Sequence, residues 1–268
     1  MTDDLDDAPK PAPRRSRALG VGVAIPIVLC CLCGGLGLLA RGMVARSIAR
    51  AELARHGITC GDGFDITPDA SFAHAEVAPC TCTMDDGAVE SFEIVTPMTI
   101  DLDGQRVTHV HAGTVRVAMR AASPSVDAGS LGPLASMLGV PARIGGLVNA
   151  ASQLARMSAP ALDVETLEVT QEGRVTVSVD ALSLDDAHPL GITAHRITMP
   201  ALTGPLGAHA DVTIDAWSGT ASASDVRLSG DLALTGSAPI VGSVTRSGRV
   251  TVTGTALDTD APTYRVEL

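Results

Sequence analysis

The chain has 268 residues, a formal net charge of −11 and five aromatic side chains, Phe64, Phe72, Phe92, Trp217 and Tyr264. An acidic protein repels phosphate backbones, and one this poor in rings has little to stack on bases or sugars, so nucleic acid is excluded as an expected partner. Lys10 is the sole lysine, which excludes a Gly-x4-Gly-Lys phosphate loop, and no Gly-x-Ser-x-Gly elbow occurs anywhere.

Residues 1–17 carry Asp3, Asp4, Asp6 and Asp7 against Lys10, Arg14, Arg15 and Arg17, with Pro9, Pro11 and Pro13 between them. Charge and proline with almost nothing apolar predict a disordered tail, placed in the cytoplasm by its bases. From Ala18 to Ala40 the chain is uncharged, bracketed by Arg17 and Arg41. A helix of that length rises roughly 34 Å, enough to cross a hydrocarbon core of about 30 Å, so residues 18–40 are expected to form a single transmembrane helix. No small-x-small cleavage site follows, which favours an uncleaved signal anchor. Gly20 and Ala24, Cys31 and Gly35, and Cys33 and Gly37 stand four apart, the spacing by which two spans pair into a homodimer.

Residues 41–57 read as a juxtamembrane helix capped by Gly57, with Arg41, Arg46, Arg50 and Arg55 set to flank a membrane. That stretch nets +3, leaving −14 for residues 56–268. From residue 58 the pattern turns to alternation. Ala208, Ala210, Val212, Ile214 and Ala216 fall on one face of a strand, and Val175, Val177 and Val179 on another. Further β segments centre on 92–102, 107–119, 162–169, 191–199, 226–234 and 250–252. Apolar parity shifts between Leu162/Val164 and Leu167/Val169, and between Ala221/Ala223 and Val226/Leu228, which predicts bulges or corners. The expected fold is mainly β with a helical insertion: a curved antiparallel sheet, half-barrel or sandwich, in an extracytoplasmic domain over 58–268.

The insertion falls at about 130–157. Leu131, Leu134 and Leu138 precede Gly139 and Pro141, and then Ile144, Leu147, Val148, Ala151 and Leu154 recur at helical spacing. Such a helix packs on the sheet or serves as a cover over an apolar groove.

Three cysteines lie outside the span. In an oxidising compartment Cys60 pairs with Cys80 or Cys82, and the leftover thiol is free or joins a second chain. His109 and His111 share one side of a strand. They fit a metal edge or a pair at the mouth of the core, and the second is expected because no third ligand stands nearby in sequence. Asp101 and Asp103 before Gly104 make a fragment of a calcium loop lacking its other ligands, so a turn explains them. No catalytic, cofactor-binding or metal set is expected, and the chain is not expected to be an enzyme.

The uncharged anchor, the Arg- and Ala-rich helix after it and strands such as residues 224–236, SerAspValArgLeuSerGlyAspLeuAlaLeuThrGly, resemble the AsmA-like proteins of bacterial envelopes and related membrane-anchored lipid-binding β proteins. The likeness covers residues 18–57 and about 162–258, and the segment with Cys60, Cys80 and Cys82 departs from it. It implies a bacterial inner-membrane protein with its β domain in the periplasm, binding or shuttling membrane lipid on a curved sheet. A non-catalytic envelope scaffold with a self-filled core is the alternative.

Overall fold

A computed structural model describes residues 41–268 apart from 56, 70, 72, 86–88, 104–105, 120–134, 137, 157–159, 205–206, 223, 240–241 and 256–262. The expected tail, the expected span, and Leu131 and Leu134 lie outside the described residues. Among the described residues no helix is long and apolar enough to cross a membrane.

The first element is helix α1 (Arg41–Arg55), and Gly57 ends it at φ 73° with its N–H donating to the Ala54 carbonyl at 3.1 Å. Glycine at this left-handed position satisfies an end carbonyl without a Cβ penalty. Ala49 and Leu53, one turn apart, are buried against the domain. Their neighbours Arg46 and Arg50 are turned to the domain as well. Arg46 pairs with Asp65 at 2.7 Å, and Arg50 donates to the Gly61 carbonyl at 2.9 Å. These two arginines, expected to flank a membrane, fasten the helix to the first strands.

Those strands are short: β1 (Ile58–Cys60), β2 (Ile66–Pro68), β3 (His74–Val77), β4 (Cys80–Met84), β5 (Val89–Ile94) and β6 (Met98–Asp103). Thr96 and Pro97 divide the segment expected at 92–102 into β5 and β6, since proline cannot donate to a ladder. Longer strands follow: β7 (Arg106–Met119), then helix α2 (Val140–Arg156), then β8 (Ala161–Gln171), β9 (Arg174–Leu184), β10 (Leu190–Thr203), β11 (His209–Ala221), β12 (Val226–Ala238), β13 (Gly242–Thr255) and the short β14 (Thr263–Glu267).

Among the described residues 14 strands join in one sheet of order β1-β4-β5-β7-β8-β9-β10-β11-β12-β13-β14, with β6, β3 and β2 branching from β7. One continuous open sheet replaces the sandwich alternative. It is antiparallel except at β7–β8, which run parallel. A parallel neighbour requires a crossover from the end of one strand to the start of the next. The crossover here carries α2, which accounts for the helical interruption between two β regions.

The inner face divides into two cores. One gathers α1 and β1–β7 around Phe64, Phe92, Met98 and Ile100; the other gathers α2 and β8–β14 around Ile144, Ile197, Ile214, Trp217 and Val250. Leu162, Leu167 and Leu182 touch both. On β12 the alternation is regular, Val226, Leu228, Leu232 and Leu234 facing in.

On five neighbouring strands it is not. Inward side chains are spaced by three instead of two at Ala112/Val115, Val164/Leu167, Val179/Leu182, Ala194/Ile197 and Ile214/Trp217. The breaks stand side by side, because Ala112 pairs with Val164, Val164 with Leu182, Val179 with Ile197 and Ala194 with Trp217. They form a crease across the sheet from β7 to β11. Ala181 and Ala216 lie in it with φ of 50° and 51°, a left-handed backbone that alanine adopts at a cost. At β12 the crease stops, and the ladder absorbs it as a register shift between Asp215 and Ser218. The parity shift read at Leu162/Val164 and Leu167/Val169 is one member of this crease. The shift read at Ala221 to Val226 is instead the turn joining β11 to β12, closed by the Ser222 N–H on the Asp225 carbonyl at 2.7 Å.

Candidate functional site

On the outer face of the sheet, where β6, β7 and β8 meet, the register lines up a polar belt. Asp101 on β6 is opposite His109 on β7, and His111 on β7 is opposite Asp163 on β8. At one end His74 on β3 is opposite Asp101, and at the other Ser183 on β9 is opposite Asp163. A bulge explains why the histidines face out. Asp101 pairs with His109 but Leu102 pairs with Val107, so Thr108 is an extra residue on β7. Val107 faces the core, and after the bulge Val110 and Ala112 do. The two histidines are therefore on the solvent side and not at the mouth of the core, and the side they share is not that of Val107.

The contacts are close. His74 Nδ1 donates to Asp101 Oδ1 at 2.8 Å, and His109 Nε2 donates to Asp163 Oδ2 at 2.8 Å. His111 lies between the acids, its Nε2 3.6 Å from Asp101 Oδ2 and its Nδ1 3.6 Å from Asp163 Oδ2. The imidazoles of His109 and His111 stack with centroids 3.9 Å apart. One ligand atom from each of Asp101, His109 and His111 fits within a 4.8 Å span. Hydrogen bonding from Ser183, and then from His109, holds the Asp163 carboxyl below the usual carboxylate range against an opposing push from burial.

Next to the belt an open polar cavity of about 500 Å³ is lined by Thr96, Pro97, Thr99, His111, Asp163 and Glu165. It sits where β7 changes partner from β6 to β5 at Gly113. The Thr114 N–H donates to Thr96 Oγ1 at 2.7 Å, and a Cβ at Gly113 would collide with the same Thr96 side chain. Glycine is required there by that close approach.

The cysteines resolve to one pair. Cys60 and Cys82 are opposite each other on β1 and β4 and form a disulfide. Cys80, two residues along, faces the core at 8% exposure. Burial raises its thiol pKa, and no second chain can reach it as it stands. The expected route to a dimer through this thiol therefore has no exposed sulfur.

Of the expected cover helix, Ile144 and Val148 are fully buried and Leu147 is partly buried against the same core. Ala151 and Leu154 are on the same helix, their side chains outside the described residues. Arg143 reaches β9, donating to the Thr176 carbonyl at 3.0 Å, and burial lowers its pKa. The helix is packed on the sheet.

Sequence reading singled out the two histidines and, separately, Asp101 as part of a turn, but it did not bring them together and it missed Asp163. Asp163 is 54 residues from His109, and only the parallel pairing brings them together. No protein-family model, curated protein or solved structure matches the chain.

Proposed function

We propose that this chain is a non-catalytic interaction module of the bacterial cell envelope, tethered through residues 18–40, whose β domain works by its surfaces. The observation that carries this reading is the close packing of the inner face among the described residues. Val140, Ile144, Val148, Met199, Val212, Ile214, Val250 and Val252 have 0% exposure, so no water-sized space touches them. In the other core a cavity lined by Leu53, Phe64, Phe92, Met98 and Ile100 holds only about 20 Å³, against about 300–1,000 Å³ for ordinary ligand pockets. An acyl chain, as the AsmA-like resemblance implies, would have to displace α2 from the sheet.

A second feature supports a surface role. β14 pairs with β13 from Thr251 to Thr255 and Leu268 packs against Gly248, so among the described residues the outer edge of Gly242–Ser247 has no strand beside it. An open edge of this kind accepts an added strand from a partner. The Cys60–Cys82 disulfide agrees with an oxidising, extracytoplasmic compartment.

The test uses the full chain in its native membrane with a photo-crosslinking residue at Thr245, on the open edge, or at Asp186, in an exposed turn. A discrete protein adduct from position 245 and none from 186 is expected. Stoichiometric lipid on the purified protein, with no adduct from position 245, would overturn the reading in favour of lipid carriage.

A further inference from the structure

The geometry points to a transition-metal site of the zinc or copper class held by Asp101, His109 and His111 on the outer face of the sheet, with Asp163 as the hydrogen-bond partner that orients His109. This goes beyond the interaction reading above and does not depend on it. Ligands about 2.05 Å from a tetrahedral ion stand roughly 3.3 Å from one another. One ligand atom from each of the three lies within 4.8 Å of the other two, with His111 Nε2 3.6 Å from Asp101 Oδ2, so side-chain rotation alone brings the donors to that spacing.

Charge and donor type choose the metal. One carboxylate and two imidazoles make a donor set that suits zinc, copper or nickel. Calcium and magnesium ask for six or more oxygens, which the belt does not offer. The outer layer needed to orient such ligands is also in place. His74 occupies Asp101 Oδ1 and leaves Oδ2 turned to His111, and Ser183 hydrogen-bonds Asp163. The open cavity beyond His111 and Asp163 gives an entry path and space for a water ligand.

The position gives the ion a task. An ion held by Asp101 and the two histidines ties β6 to β7 beside the parallel seam with β8. Ion binding then favours the folded chain by mass action.

The experiment titrates the EDTA-stripped full chain in detergent with ZnCl2 by calorimetry, after alkylating the thiols so that Cys30, Cys31 and Cys33 cannot bind zinc. One equivalent bound at micromolar Kd is expected, with no heat from CaCl2. His74→Ala is expected to bind about 10-fold more weakly, as loss of an orienting partner does. Asp101→Asn, which keeps the side-chain shape, is expected to lose at least that factor, and the His109→Ala/His111→Ala double variant all binding. Cu2+ bound to the unaltered chain should show electron paramagnetic resonance hyperfine structure from two imidazole nitrogens, a readout independent of whether the double variant folds. Absence of zinc binding at millimolar concentration, unchanged affinity in Asp101→Asn, or a copper spectrum without those nitrogens would each overturn the site.

Discussion

The two halves of the sheet solve the same problem differently. In β1–β6 strands of 3–6 residues are joined out of sequence order, and the region relies on a helix docked through Arg46 and Arg50 and on the Cys60–Cys82 cross-link. In β8–β13 strands of 11–14 residues follow one another as hairpins and bury an aliphatic face beneath α2. Long neighbouring strands bury enough apolar area per turn to hold themselves, whereas short ones pay loop entropy repeatedly for little burial and need covalent or ionic help.

The largest expected effect is in the second half. Ile144→Ala should cost about 2–5 kcal/mol in urea unfolding, the range for truncating a fully buried aliphatic side chain. A loss well under 1 kcal/mol would mean that α2 is a loose cover, and the contrast would have to be redrawn. In the first half, replacing both Cys60 and Cys82 by alanine should cost about 3 kcal/mol for a cross-link spanning 22 residues. Hydrogen exchange should locate the loss in β1–β5, and equal loss of protection in β9–β12 would break the distinction.

A gain is expected along the crease. Ala216→Gly should raise stability by up to about 1 kcal/mol by relieving a left-handed alanine, while Ala233→Gly, on the regular strand β12, should lower it by about 0.5–1 kcal/mol. Measured by thermal unfolding, the two signs should be opposite. The smallest effect concerns pH. The Asp163 carboxyl has a lowered pKa in the folded chain, so its contribution is complete above the ordinary carboxylate value of about 3.9 and is lost as pH falls through the folded value. Ser183→Ala removes the first cause of that shift, so the variant should lose stability at a less acidic pH than the parent. Urea midpoints between about pH 2 and pH 6 would show the displacement, and superimposable curves would remove Ser183 from the account.

Legibility in the sequence followed strand length. The alternation of Ala208 to Ile214 and of Val177 to Val179 marked real strands, but Ala216, expected on the same face, is exposed at the crease and Val175 is exposed at the start of β9; the spacing of Ile144, Leu147 and Val148 marked the helix correctly. Strands of three to five residues such as β1–β4 leave too few alternations to register a period, and none was placed individually. The polar belt was hidden for another reason. Its side chains come from five strands, and one extra residue at Thr108 decides whether His109 and His111 face solvent or core. Register of this kind is a property of pairing, which one strand's sequence does not contain.

The parallel seam also has a consequence in time. Each hairpin from β8 to β13 closes locally, so that half can assemble without waiting for the rest. The β7–β8 pairing has to wait until residues 120–160 have looped back, and ordering such a long closure before any contact rewards it is slow. The meander should therefore form first and serve as the template onto which β7 docks, making the seam the last part of the sheet to close and the first to open.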